Sequence, residues 1–281
     1  LYYLDEPFGD PAALPTYLLS KEVNKNGIKA ALSGEGSDEI FFGYDMYYTY
    51  LAFEELKSLK PKNKEIILSY FYKKSDLRKS TELIRRALQN ESVFRTSGEC
   101  FTDLELEKLL NFEVQGDRVL RVLEDLYKPY SHNHVSIWYY FLDMYVWMNV
   151  LMTKIDRMSM AHSVELRAPM LDHELHELVL QVNPELRISN ENKYLLKKIA
   201  VKYLPEEIIK RKKMGFSYPL IEWLRREKGN MLEDWLYINS HHQLFREDFL
   251  KFLYEYQDIH RYKQHIWLVE LFNRWFKKTY M

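Results

Sequence analysis

Thiol chemistry is almost absent from this sequence: a single cysteine, Cys100, stands in 281 residues. One cysteine closes no intramolecular disulfide and supplies no thiolate cluster for zinc, so the fold relies on neither, and a reducing, cytoplasmic setting is the default expectation. Glycine and proline are equally sparse at nine each, which excludes collagen-like and low-complexity chains. Net charge is also lacking. Forty Lys and Arg against 41 Asp and Glu leave -1, so no overall basic field draws nucleic acid or an anionic membrane. No apolar run spans a bilayer either, because the longest candidate, Ser136 to Met152, is interrupted by Asp143 and Asn149 and is shorter than the ~20 residues required. It reads as a buried core helix.

What is present is a globular composition, 47% hydrophobic and 29% charged, long enough for one large domain or two small ones. Leu1 is not an initiator methionine and no leader pattern follows it, so the chain reads as a piece of something longer. Asp10 and Pro11 predict a helix start, Leu14, Leu18, Leu19 and Val23 continue it at helical spacing, and Gly27 ends it. Ile28 to Leu32 then has the length of a buried strand, the only convincing one. Beyond Glu39 the spacing predicts helices over 103–111, 117–127, 134–152, 172–182, 193–203, 218–228, 246–256 and 264–277, with a surface loop at Pro61 to Lys64. A lone strand cannot satisfy its own ladder groups. Helix, strand, Gly-rich turn and helix therefore predict the second half of a parallel α/β unit whose other strands lie upstream of Leu1.

Three segments are candidates for chemistry. Ser33-Gly34-Glu35-Gly36-Ser37-Asp38-Glu39 stands at the carboxyl end of the strand, where open parallel sheets bind ligands. Its glycines allow close backbone approach, its amides can meet phosphate oxygens, and its carboxylates can engage magnesium or move protons. A plain turn with Ser37 or Asp38 as a cap fits the same letters. Asp156 and Arg157 end the long apolar helix and offer paired charge to a zwitterion, or a structural salt bridge. Lys210-Arg211-Lys212-Lys213 reads as a solvated face unless one lysine turns toward phosphate. Histidines at 173, 176, 241 and 242 lack a ligand frame, and neither a nucleophile elbow nor a Walker lysine loop is present.

Taken in order, Asp5-Glu6-Pro7-Phe8 with Asp10, Leu32 to Glu39 continuing to Gly43-Tyr44, Lys154 to Met160, Glu165 to Asp172 and Arg211 to Phe216 resemble the synthetase domain of glutamine-hydrolysing asparagine synthetases. The resemblance implies an α/β pyrophosphatase-type fold (adenine nucleotide alpha hydrolase-like), here a mainly α fragment with about one parallel strand. Residues 1–45 would be the end of the nucleotide-binding unit and 46–281 the helical part. It implies ATP and Mg2+ as reagents, aspartate and ammonia as partners, and a homodimer as an open question. Adenylation of the aspartate side chain would precede attack by ammonia. Carried over, Ser33 and Gly34 would contact ATP, Asp38 would engage magnesium and pyrophosphate, and Glu35 and Lys213 would be catalytic. Asp156 and Arg157 would line the substrate pocket. The family's glutaminase cysteine and its Ser-Gly-Gly-x-Asp-Ser loop do not occur in these residues, and Met148-Asn149-Val150 stands where the family often carries Pro-Asp-Asp. Enzymes that amidate or cyclise other carboxylates, and a non-catalytic helical module, stay open as alternatives.

Overall fold

The computed structural model describes residues 2–74, 78–94, 100–113, 118–130, 134–189, 191–211, 218–227, 229–255 and 261–281. Helix α1 (Ala13–Lys25) begins two residues after the predicted first position at Pro11: Ala12 is its N-cap without a side-chain capping bond, and Asp10 Oδ1 accepts the Ala12 amide at 2.9 Å in the turn just before it. Gly27 turns the chain with φ +76°, a conformation costly for residues with a Cβ. Strand β1 (Ala30–Leu32) comes next, shorter than the predicted 28–32.

Two corrections concern this strand. It is not alone, because β2 (Glu165–Arg167) pairs with it in parallel, Ala30 opposite Glu165 and Leu32 opposite Arg167. Nor is it buried, since Leu32 is 77% exposed. Periodicity could not find β2, whose three residues put charge at both ends and leave only Leu166 half-buried. The α/β unit thus draws on chain far beyond residue 45. A β1-to-β2 crossover of this length is filled by helices, as parallel pairing requires a long connection.

That connection holds α2 (Ser37–Ile40), α3 (Asp45–Glu54), α4 (Pro61–Lys74), α5 (Lys79–Leu88), α6 (Asp103–Leu109), α7 (Arg118–Tyr127), α8 (Val135–Leu142) and α9 (Met148–Met160). The predicted loop at Pro61 to Lys64 is instead the first turn of α4. Proline fits there because the first turn has no use for its missing N–H. Between α8 and α9 the run widens into a π turn, Asp143–Trp147. Aromatic residues of this region form one core, with Phe42, Tyr47, Tyr50, Phe94 and Tyr139 almost fully buried.

After β2 come α10 (His173–Leu180), α11 (Pro184–Arg187), α12 (Tyr194–Ala200), α13 (Glu206–Lys210), α14 (Leu220–Glu227), α15 (Met231–His242), α16 (Glu247–Glu255) and α17 (Lys263–Tyr280). A second core, built on Trp235, Leu250, Leu253 and Ile266, joins the last four to α6. Each such side chain contributes ~1.5–3 kcal/mol when fully buried. Helix α17 is also tied to the amino-terminal segment, since Trp267 Nε1 donates to the Gly9 carbonyl at 2.8 Å. No helix among the described residues is long and apolar enough to cross a membrane.

Candidate active site

Position comes from the sheet. The Ser33 amide continues the ladder by donating to the Arg167 carbonyl at 2.7 Å, which fixes where the following turn begins. Gly36 then takes φ +87°, and a Cβ there would lie 2.3 Å from Leu171 Cδ2, so this turn is closed to other residues. Gly34 differs: nothing lies within 4 Å of where its Cβ would be. Its backbone is open to a ligand.

The three carboxylates of the turn have separate surroundings. Asp38 meets Lys193 Nζ at 3.0 Å, and the same ammonium donates to Ser37 Oγ at 2.9 Å. Glu39 faces inward, 2% exposed, accepting the Tyr44 hydroxyl at 2.7 Å. Burial raises its pKa and the Tyr44 hydrogen bond opposes that rise. Glu35 lies between these extremes. Desolvation pushes its carboxyl above the usual range, Lys154 pulls it down, and Asp38 and Asp10 push it up. A carboxyl so placed holds its proton nearer to neutral pH than an exposed glutamate does.

Glu35 and Asp38 share one cavity of about 910 Å³ with Asp10, Tyr44, Trp147 and Lys154. This is within the ~300–1,000 Å³ range of small-molecule sites. Asp10 has two tasks there: one oxygen accepts the Ala12 amide in the turn before α1 and the other pairs with Lys154 Nζ at 2.8 Å. Lys154 is itself buried on α9. The π turn brings Val146 and Trp147 to the cavity wall, and the Asn149-Val150 pair that replaces Pro-Asp-Asp lines it as well.

Not every predicted site residue meets this cavity. Asp156 and Arg157 are exposed on α9, where Arg157 pairs with Asp5 at 2.6 Å, and neither lines the cavity. Ser33 and Gly34 stand beside it without lining it. Lys213 lies outside the described residues. Among the described residues the cations that act on Glu35 are Lys154 and Lys193; in the sequence Lys154 figured only as the first letter of the matching run Lys154 to Met160, and Lys193 was not singled out. Lys154 had a signal, as a lone charge on the buried side of an apolar helix. Lys193 had none, being far along the chain from the turn it serves.

Among the described residues no group of three or more His, Cys, Asp or Glu could hold a metal ion. Magnesium that arrives on phosphates needs only one or two protein carboxylates, and Asp38 and Glu35, which both line the cavity, supply that number. The open Gly34 backbone and the ammonium groups of Lys154 and Lys193 fit a polyphosphate in the same sense.

Residues 1–277 match the asparagine synthase family. Asparagine synthetase [glutamine-hydrolyzing] 1 of Bacillus subtilis (strain 168) is 28% identical, the match covering 100% of this chain and 46% of that protein. A putative asparagine synthetase [glutamine-hydrolyzing] of Mycobacterium bovis is also 28% identical, over 84% of this chain and 36% of its own length. Amidase chry2 of Gibberella zeae is 24% identical over 79% of this chain and 37% of its own. The chain therefore spans less than half the length of these curated relatives. No solved structure matches.

Proposed function

The chain belongs to the asparagine synthase family, and on that footing we propose that it is the carboxy-terminal part of an ATP-dependent ligase converting aspartate to asparagine. The observation that supports this best is the gathering of Glu35, Asp38, Asp10 and Lys154 around one cavity of about 910 Å³. ATP would activate the aspartate side chain as an acyl adenylate, with release of pyrophosphate. Asp38 would engage the magnesium that accompanies the phosphates, and the Ser33 hydroxyl and the open Gly34 backbone would receive the nucleotide. Lys154 and Lys193, each held by a carboxylate, would be fixed cations that offset phosphate charge without reorganising.

Ammonia attacking the adenylate must shed a proton as the tetrahedral intermediate collapses, and Glu35 is the group to accept it. Burial raises its proton affinity toward the operating range, which is what a general base requires. Lys213 keeps the electrostatic role that the resemblance implies. Asp156 and Arg157, exposed on α9 and outside the cavity lining, take no part in this reading.

Glu35→Gln in the full-length polypeptide tests the reading, because the amide keeps size and hydrogen bonding but accepts no proton. With ammonium as nitrogen source, asparagine formation should fall ~10²–10⁴-fold. Nucleotide binding, measured by calorimetry, should change little. Unaltered turnover would overturn the assignment.

A further inference from the structure

Cys100 lines the same cavity, and two further buried side chains, His265 and Glu105, continue from it. Cys100 Sγ lies 3.2 Å from His265 Nδ1, and His265 Nε2 lies 3.2 Å from Glu105 Oε2. Cys100 is 6% exposed, His265 4% and Glu105 1%. Their positions are fixed from outside. Glu105 belongs to the capping box of α6: Thr102 Oγ1 accepts its amide, while its Oε2 accepts the Thr102 amide at 2.9 Å. Its other oxygen accepts Arg261 Nη2 at 3.0 Å. The His265 ring is held edge-on by Phe101 and Tyr262.

The charges around the imidazole decide what the line can do. Burial alone would raise Glu105, but hydrogen bonds from His265, the Thr102 amide and Arg261 hold its carboxyl below the usual range. Glu105 is therefore an anion. An anion at Nε2 keeps a proton there and leaves Nδ1 to accept one from the thiol. Glu105 on α6 and Arg261 and Tyr262 ahead of α17 are the charged or titratable groups that the described residues bring to His265. A nucleophile, a base and a third group that orients the base is the arrangement of an activated thiol. Inert structural cysteines sit instead among apolar groups.

Access is the remaining condition. Cys100 lines the cavity of about 910 Å³, so a small reagent that enters the cavity can reach the sulfur although little of it meets bulk solvent. We propose that Cys100 is a second reactive centre of the cavity, a thiol activated by His265 and Glu105 that small hydroperoxides oxidise to a sulfenic acid. His265 takes the thiol proton. The thiolate attacks a peroxide oxygen, an S–O bond forms as the O–O bond breaks, and the departing hydroxide recovers the proton from His265 and leaves as water. Sulfur loses two electrons and the peroxide gains them. The inference does not depend on the ligase reading, since it uses none of Glu35, Asp38 or Lys193.

The test uses the full-length polypeptide with hydrogen peroxide and dimedone, reading the dimedone adduct on the peptide that carries Cys100 by mass spectrometry. A second measurement follows alkylation of the same peptide by iodoacetamide between pH 6 and 8.5. We expect a Cys100 adduct in the folded protein and an alkylation rate that depends on pH less steeply than that of an ordinary thiol. His265→Gln should slow both reactions tenfold or more at pH 7 and restore a rate that climbs with pH toward the ordinary thiol value of ~8.5. No adduct on Cys100, a rate rising tenfold per pH unit in the parent, or equal rates in parent and variant would each overturn the proposal. Should His265→Gln fail to fold, the pH profile of the parent alone decides.

Discussion

Asp143 carries a large proton effect among the described residues. Burial pushes it up to about 8, against the opposing hydrogen bond from the Tyr47 hydroxyl, and the Glu39 charge adds to the rise. Unfolded, the same carboxyl titrates near 3.8. Between roughly pH 4 and 8 the folded chain holds a proton that the unfolded chain has released, so this contribution to stability is complete at low pH and is lost as pH rises. Each unit within that window is worth up to ~1.4 kcal/mol. Asp143→Asn keeps an acceptor for Tyr47 and never ionises. Its urea midpoint should be less sensitive to pH from 5 to 8 than that of the parent, and at pH 8 the variant should be the more stable by ~1–3 kcal/mol. A parent whose stability climbs with pH over that range would contradict the assignment. Gly43 poses a different question. A Cβ there would come within 2.0 Å of Asp38 Oδ1 and 2.5 Å of Lys193 Cε. Both are flexible ends that can move aside, so Gly43→Ala should fold with a thermal midpoint close to the parent's while breaking the Asp38–Lys193 pair. Magnesium dependence of pyrophosphate release should then shift severalfold, as expected when a carboxylate at the phosphates is misplaced.

At the scale of elements, the letters near residue 33 were readable because most rules pointed the same way: a turn at Asp10, helical spacing, Gly27, an apolar run, then glycines and acids. The same holds for α17, where Ile266, Val269 and Asn273 recur on one buried face. Elements were missed where tertiary context overrides local pattern. Strand β2 has three residues and no apolar run, and α4 begins on a proline that usually signals a break. The site was legible for Glu35 and Asp38, adjacent in sequence, and illegible for Lys193, which meets Asp38 only because Lys193 adopts φ +57° beside Phe42 at φ +55°. Neither conformation is one that a side chain advertises. The π turn is the other hidden element. One extra residue in a helical run puts Val146 and Trp147 on the cavity wall, and such turns recur at functional sites. Deleting the exposed Tyr145 should convert Asp143–Trp147 to ordinary α-helix while α8 and α9 keep their faces. Helical content by circular dichroism should be retained, and ligase turnover should fall at least tenfold because the wall has moved. Retained turnover would mean that the widened turn does not shape the site.

For the whole molecule, the sheet is one place where burial is incomplete. Strand β1 presents Leu32 at 77% exposure, with Ile28 at 48% just before it, and α1 presents Leu18 and Leu19 at 55% each. Parallel strands normally have both faces covered, and exposed strand edges pair with other chains. Re-covering these four side chains at ~1.5–3 kcal/mol for each complete burial is comparable with the ~5–15 kcal/mol that holds a domain together. The relatives matched here are more than twice as long as the aligned chain, as in the Bacillus subtilis protein of which it covers 46%. Residues 1–281 expressed by themselves should therefore bind an apolar dye strongly, self-associate in sedimentation experiments and release no pyrophosphate from ATP and aspartate. The full-length polypeptide should bind the dye weakly under the same conditions. Leu32→Lys in the short chain separates edge pairing from general stickiness, because a charge on an exposed strand blocks pairing without removing any buried contact. It should lower self-association and leave the thermal midpoint unchanged. A short chain that stays monodisperse and dye-negative would show that β1 and α1 tolerate water as they stand, and robust pyrophosphate release from it would place the whole ATP site within these 281 residues.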